Sequence, residues 1–431
     1  MQKLRWATTH SLLPRPAIPL TILSLLAVTM GLSAVAQSQT YTILHSFSGP
    51  DGYNPEAGVT LDAAGNVYGT TFHGGSQNCS NGCGTVFKLT HRSGGWVLTT
   101  LYEFQGGSDS AWPNAGVTIG PDGTLYGTTL GDDGGLYGYG TVFNLRPPDH
   151  ICHSVSCPWT MTVLYSFSGG DDGGTPGYGN LVFDRQGNIY GTTANGGDFL
   201  AGTVFEVMHS NGGWTESVLY SFLSNPSVEC TPLGGVIFDR SGNLWGTTSG
   251  CSSQFGAVFE LSPSDSGWTA SLVHAFHDTL SGGSPDGTTP LASLTLDSSG
   301  NLYGTTVQGP PDPNCPALGT VFEINTAGDF ATLHFFPSIP QPECMYESGL
   351  LGPVSVDTQG NLYGTQYGEA YGAYGGVFER GPLGWSELVN FSADTGTLPW
   401  GGVALDASGN LYGTASGAGP GGGGVVWEIT P

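Results

Sequence analysis

Carboxylates recur in seven irregular stretches of the chain, five of them with tryptophan or tyrosine: Asp51 and Tyr53; Asp109 and Trp112; Asp171, Asp172 and Tyr178; Glu229; Asp278 and Asp286; Glu343, Tyr346 and Glu347; Asp394 and Trp400. An aromatic face covers the apolar C–H surface of a sugar ring while its polar edge and nearby carboxylates meet the hydroxyls, so these residue types together suit a polyhydroxylated ligand. The candidate ligand-binding set is Asp51, Tyr53, Asp109, Trp112, Asp171, Asp172, Tyr178, Glu343, Glu347 and Trp400. Two carboxylates at a suitable separation would also serve glycoside hydrolysis. With 34 acidic residues no single pair stands out, and no G-x-S-x-G, H-E-x-x-H or P-loop pattern occurs. No catalytic residue is singled out; His73 and His277 are the remaining titratable candidates. Asp132 and Asp133, with Asp171 and Asp172, form a carboxylate group suited to a hard cation such as calcium, without EF-hand spacing. No other cofactor is implied.

The elements that must position these residues follow from a repeat. An aromatic followed by Gly and Thr occurs at Tyr68, Tyr126, Tyr190, Trp245, Tyr303, Tyr363 and Tyr412, with spacings of 58, 64, 55, 58, 60 and 49 residues. Each unit holds four short apolar or β-branched runs, here strands A to D, separated by Gly, Asp, Asn and Pro. Between A and B lies Asp-x-x-Gly-Asn, as at Asp62 to Asn66, or Asp122-Gly123-Thr124 in the second unit; this is a turn signal. Glycine inside strand B implies close approach by a large side chain, from strand C (Phe87 and its equivalents) or strand D (Phe104 and its equivalents). Seven such units predict an all-β, seven-bladed β-propeller of four-stranded antiparallel blades. The first strand, Tyr41 to Phe47, has a D sequence and the last, Val425 to Ile429, a C sequence, so the N-terminal strand is expected to complete the last blade. His45, His274 and His334 share a strand-D position with Tyr102, Tyr165 and Tyr220 and read as structural.

The phrase Gly-Asn-Leu-Tyr-Gly-Thr-Thr, followed by Gly-Gly and Gly-Thr-Val-Phe-x-Leu, resembles the GloVer tandem repeat of exported bacterial proteins, with departures at Ala257, Gln366, Ala415 and Trp427. The resemblance implies fold and export and carries no catalytic residues. The strand pattern is more distantly similar to NHL-type blades, which implies that strand A is innermost. The D to A and B to C loops then share one face, and most of the irregular sequence falls there, where binding residues usually sit on a rigid scaffold. The cysteines fit this layout as Cys79 with Cys83, Cys152 with Cys157, Cys230 with Cys251, and Cys315 with Cys344.

Lys3, Arg5 and Arg15, an apolar run over 18–32 and Ala34-Val35-Ala36 read as an export signal cleaved after Ala36. The expected organisation is a signal peptide over 1–36, a short linker over 37–40 and the propeller over 41–431. Cleavage would leave six basic residues against 34 acidic ones, a net charge of −28. That sign opposes nucleic-acid binding, and no membrane insertion is expected after cleavage. The product is expected to be secreted, periplasmic or at the cell surface, with disulfides. Its leading function class is a binding module for a polysaccharide or cell-surface component. A glycan-active hydrolase or lyase, and a purely structural surface or matrix protein, are the alternatives; oligomeric state is left open.

Overall fold

The computed structural model describes residues 39–131, 138–148, 159–210, 212–223, 230–250, 255–265, 267–277, 286–309, 319–336, 349–368 and 374–431. The sequence-expected export signal lies outside these residues, and the fold is that of the unit Thr40–Thr430. In blade one, strand A is Thr60–Leu61, B is Val67–Thr71, C is Thr85–Arg92 and D is Gly95–Glu103, each antiparallel to the next. The order repeats around a seven-bladed β-propeller, and blade three adds a short strand, Gly174–Pro176, beside its B strand. Blade seven takes its A, B and C strands from Ala404–Leu405, Leu411–Ala415 and Val425–Thr430, and its D strand, Thr40–Ser46, from the other end of the sequence. Thr40 pairs with Thr430 and Ser46 with Val425, so backbone hydrogen bonds close the ring as the sequence predicts.

Each residue of the repeated phrase has its own task. The aromatic's polar edge reaches the turn aspartate in every blade, Tyr68 to Asp62 at 3.0 Å and Tyr126 to Asp122 at 3.1 Å for example, while in blades three and seven the hydroxyl lies closer to a strand-C glutamate, Tyr190 to Glu206 at 2.5 Å and Tyr412 to Glu428 at 2.7 Å. Trp245 keeps the bond through its indole N–H, 3.2 Å from Asp239, which is why tryptophan replaces tyrosine without breaking the pattern. The same aspartates also accept from turn backbone amides and the following Asn, as in Asp62 with Ala64 and Asn66, so the turn-forming role holds. The strand-B glycine lies under the strand-C aromatic. A Cβ at Gly69 would meet Phe87 at 2.5 Å, at Gly304 Phe322 at 2.3 Å, and at Gly413 Trp427 at 2.3 Å. The strand-D phenylalanine instead crosses to the next blade. Phe104 packs on Phe143 at 5.3 Å, Phe167 on Phe205 at 5.1 Å, and Phe47 on Phe87 at 5.2 Å across the closing seam.

The first threonine of the phrase bridges blades as well. Thr70, Thr192, Thr247, Thr305, Thr365 and Thr414 donate to the carbonyls of Ala115, Gly234, Ala292, Gly352, Gly401 and Ala57, each just ahead of the next strand A. The second threonine pairs across to the first residue of strand C, as in Thr71 with Thr85 and Thr306 with Thr320, both at 2.8 Å. The departures in blades six and seven come in facing pairs, Gln366 opposite Gly376 and Ala415 opposite Val425, so both partners change together.

Candidate functional site

Strand A is short, and the residues just before it crowd the axis. The second and third positions ahead of strand A are mostly Gly or Ala, because neighbouring blades touch there: a Cβ at Gly401 would meet Gly58 N at 2.2 Å, and one at Gly179 would meet Gly235 N at 1.8 Å. The fourth position ahead stands above this constriction, and there the repeat stops repeating. In blades one to seven it is Glu56, Asn114, Tyr178, Leu233, Leu291, Leu351 and Trp400. All seven line one axial cavity of about 430 Å³, within the range of roughly 300–1,000 Å³ typical of small-molecule sites.

The ring has two halves. Trp400, Glu56, Asn114 and Tyr178 follow one another through blades seven, one, two and three, so two polar groups stand between two aromatics. Blades four, five and six place a leucine at this position, and the same blades also line the cavity with Ser293, Thr295 and Ser355. Glu56 is half-buried and its carboxyl is pushed up to about 7 by burial. Burial raises the Tyr178 phenol, and the charge of Glu56 raises it further. Asn114 is only 3% exposed, and neither its amide nitrogen nor its amide oxygen has a hydrogen-bond partner. Buried polar groups are rarely left unpaired, and Asn114 is an exception in the wall of this cavity.

The neighbouring seam is irregular for a visible reason. Proline precedes the ring residue directly in Pro55-Glu56, Pro113-Asn114 and Pro399-Trp400, whereas blade three inserts Gly177 between Pro176 and Tyr178. With that extra residue, the Tyr178 amide donates to the Leu233 carbonyl of the next blade at 2.7 Å. Thr128, whose equivalents bridge to the next blade, has no partner for its hydroxyl. Unpaired polar groups on Asn114 and Thr128 therefore both belong to blade two, beside the displaced segment of blade three.

Of the sequence-expected residues, Tyr178 and Trp400 lie in this cavity, while Trp112 is held elsewhere by an indole bond to the Gly82 carbonyl at 3.2 Å and by stacking on Phe72. Three of the acids are engaged by strand D: Asp51 with His45 at 2.7 Å, Asp109 with Tyr102 at 2.7 Å, and Asp172 with Tyr165 at 2.9 Å. Asp286 is held likewise by His274 at 2.9 Å, and His277 lies 4.0 Å from it. For Asp51, burial opposes ionisation, yet the Ser48 amide and His45 outweigh it and hold the carboxyl low. Tyr53 is exposed and pairs its backbone with His73, whose ring meets Asn54. Asp171 and Asp172 line an outer groove on blade three with Asp198, Phe199 and Glu216. Burial, then the charge of Asp172, pushes Glu216 up to about 7. Among the described residues no group of three His, Cys, Asp or Glu is placed to hold a metal ion. Asp132, Asp133, Glu343 and Glu347 lie outside the described residues.

Cys79 and Cys83 form the expected local disulfide. Cys230 is also disulfide-bonded; its expected partner Cys251, and Cys152, Cys157, Cys315 and Cys344, lie outside the described residues. Among the described residues no helix is long and apolar enough to cross a membrane. Sequence reasoning missed Glu56 and Asn114. The signal was available in the stretches Glu56 to Asp62, Asn114 to Asp122, Leu233 to Asp239 and Trp400 to Asp406, which align on strand A and differ most at their first residue.

A fungal alcohol oxidase of the AA5 family, solved in complex with copper, superposes with a TM-score of 0.51 at 12% identity, over 92% of this chain and 77% of that one. A polysaccharide lyase gives 0.49 at 12% identity over 92% and 94%. A protein of unknown function from Dyadobacter fermentans gives 0.44 at 12% identity over 91% and 98%. At such identities the likeness is one of fold. No curated protein matches the chain. The model of the Gloeobacter/Verrucomicrobia repeat matches residues 32–249, 155–312 and 282–431, stretches that overlap and together span all seven blades, and the chain belongs to that repeat family.

Proposed function

We propose that the protein is an extracytoplasmic binding module that takes the end of a glycan of a polysaccharide or cell surface into its axial cavity. The observation that carries this reading is the buried, unpartnered amide of Asn114 in a cavity flanked by Tyr178 and Trp400. Aromatic faces with an adjacent amide and carboxyl form an arrangement that fits a ring bearing both C–H surface and hydroxyls. Export is supported by the basic and apolar N-terminal pattern and by the Cys79 to Cys83 disulfide.

A carboxyl at about 7 is a competent general acid, which is the specific observation favouring a hydrolase. Glycoside hydrolysis by the common route needs a second carboxylate close by, and among the described residues Glu56 is the only acid lining the axial cavity. Binding without turnover is therefore the better fit. Incubating the purified protein with a polysaccharide panel, then measuring retained glycan and released oligosaccharide by mass spectrometry, separates the two. Retention without release supports the module; released products establish an enzyme and overturn it, and neither retention nor release overturns the glycan reading.

A further inference from the structure

We infer that the axial cavity selects a terminal 6-deoxyhexose, an inference that rests on the glycan-binding reading. The ring of seven residues is divided into an apolar and a polar side. Leu233, Leu291 and Leu351 come from three consecutive blades and form an apolar arc at the ring position, each half-buried; of the hydroxyls that these blades also bring to the lining, Thr295 and Ser355 already donate to the carbonyls of Val354 and Val403, and Ser293 accepts from the Gly235 amide. An ordinary hexose carries hydroxyls around its whole rim, and one turned toward this arc would lose its water without gaining a partner. A 6-deoxyhexose replaces one hydroxymethyl by a methyl, giving it a single apolar corner to seat on the leucines. Its remaining hydroxyls then face the opposite arc.

That opposite arc suits them. Glu56, raised to about 7, can donate or accept, and the unpaired amide of Asn114 lies in the adjoining wall. Tyr178 and Trp400 flank these groups. Among the described residues the cavity lining contains no Lys, Arg or His, so none of them balances the charge of a uronate or other acidic sugar. The selected sugar is therefore neutral, with one apolar corner.

The test is equilibrium binding of matched pairs by titration calorimetry or ligand-observed NMR: L-fucose against L-galactose and L-rhamnose against L-mannose, each pair differing only by the hydroxyl at C6. A glycan array bearing the same sugars as terminal residues runs in parallel. At least one deoxy sugar is expected to bind about 10- to 100-fold more tightly than its hydroxylated partner. Leu291→Asn, with its fold checked by circular dichroism, is expected to narrow that ratio to about threefold or less; Leu351→Asn serves if the first variant does not fold. Equal or tighter binding of the hydroxylated partner, or array binding confined to glycans without a 6-deoxyhexose terminus, overturns this inference and leaves the glycan reading standing. Absence of binding to every sugar and glycan overturns both.

Discussion

Thr414 donates its hydroxyl to the carbonyl of Ala57 at 2.7 Å, a bond between residues 357 positions apart that spans the closing seam directly beside Glu56. Replacing it by valine keeps the shape and leaves a carbonyl without its donor, so Thr414→Val is expected to lower stability by about 1–3 kcal/mol. Thr128→Val removes a hydroxyl that already has no partner and is expected to be neutral or stabilising. Urea denaturation of both variants measures the difference. Equal losses would mean that the bridging bonds contribute nothing specific.

Gly304 lies where a Cβ would meet the Phe322 ring at 2.3 Å. Gly304→Ala overpacks the interior of blade five and is expected to cost about 1–3 kcal/mol. Adding Phe322→Leu should return part of that loss, because the smaller side chain vacates the contact. The double mutant has to be more stable than the sum of its single changes; simple additivity would contradict direct packing.

Trp245 and the six tyrosines of the phrase share a donor rather than a ring shape. Tyr190→Phe leaves the apolar contacts and removes the hydroxyl that meets Asp184 at 3.2 Å and Glu206 at 2.5 Å. A loss of about 0.5–1.5 kcal/mol is expected, measurable as a shift in the urea midpoint. No shift would reduce the aromatic to packing alone.

Two sets of carboxyls give opposite pH dependences. Burial alone would raise Asp62, but hydrogen bonds from Asn66, Tyr68 and the Ala64 amide outweigh it and hold the carboxyl below its ordinary 3.8. Its stabilisation is present above that value and lost as pH falls through the depressed pKa. Glu56 runs the other way. Raised from 4.5 to about 7, it favours the fold most below 4.5 and loses that contribution as pH rises through about 7. Glu56→Gln removes the second dependence, so its melting temperature relative to wild type should rise between pH 5 and pH 8, by about 2 °C or more. A constant difference across that range would contradict a raised Glu56.

Much of the fold was legible because the repeat states each contact seven times. Phe87 over Gly69 and Asp62 at its turn recur in every blade with the same types or close substitutes, and the D-type sequence of Tyr41 to Phe47 announced the closure. The choice between strand-C and strand-D rings over the glycine was not legible. Both are aromatic, and only the register shows that Phe104 crosses to Phe143 while Phe87 stays at home. The site was harder to read, since loop acids look free in sequence. Asp51, Asp109 and Asp172 are held by His45, Tyr102 and Tyr165, the strand-D position already recognised as equivalent. Glu56 and Asn114 look like ordinary loop residues until strand A sets the alignment and places them in one ring.

The most direct measurement is glycan binding by wild type, Asn114→Ala and Trp400→Ala, with each fold verified by circular dichroism and thermal unfolding. If the axial cavity is the binding site, wild type binds and both variants lose at least about tenfold in affinity, as expected when a buried polar partner or an aromatic anchor is removed. Full-strength binding by both folded variants would place the ligand elsewhere on the propeller and contradict the assignment.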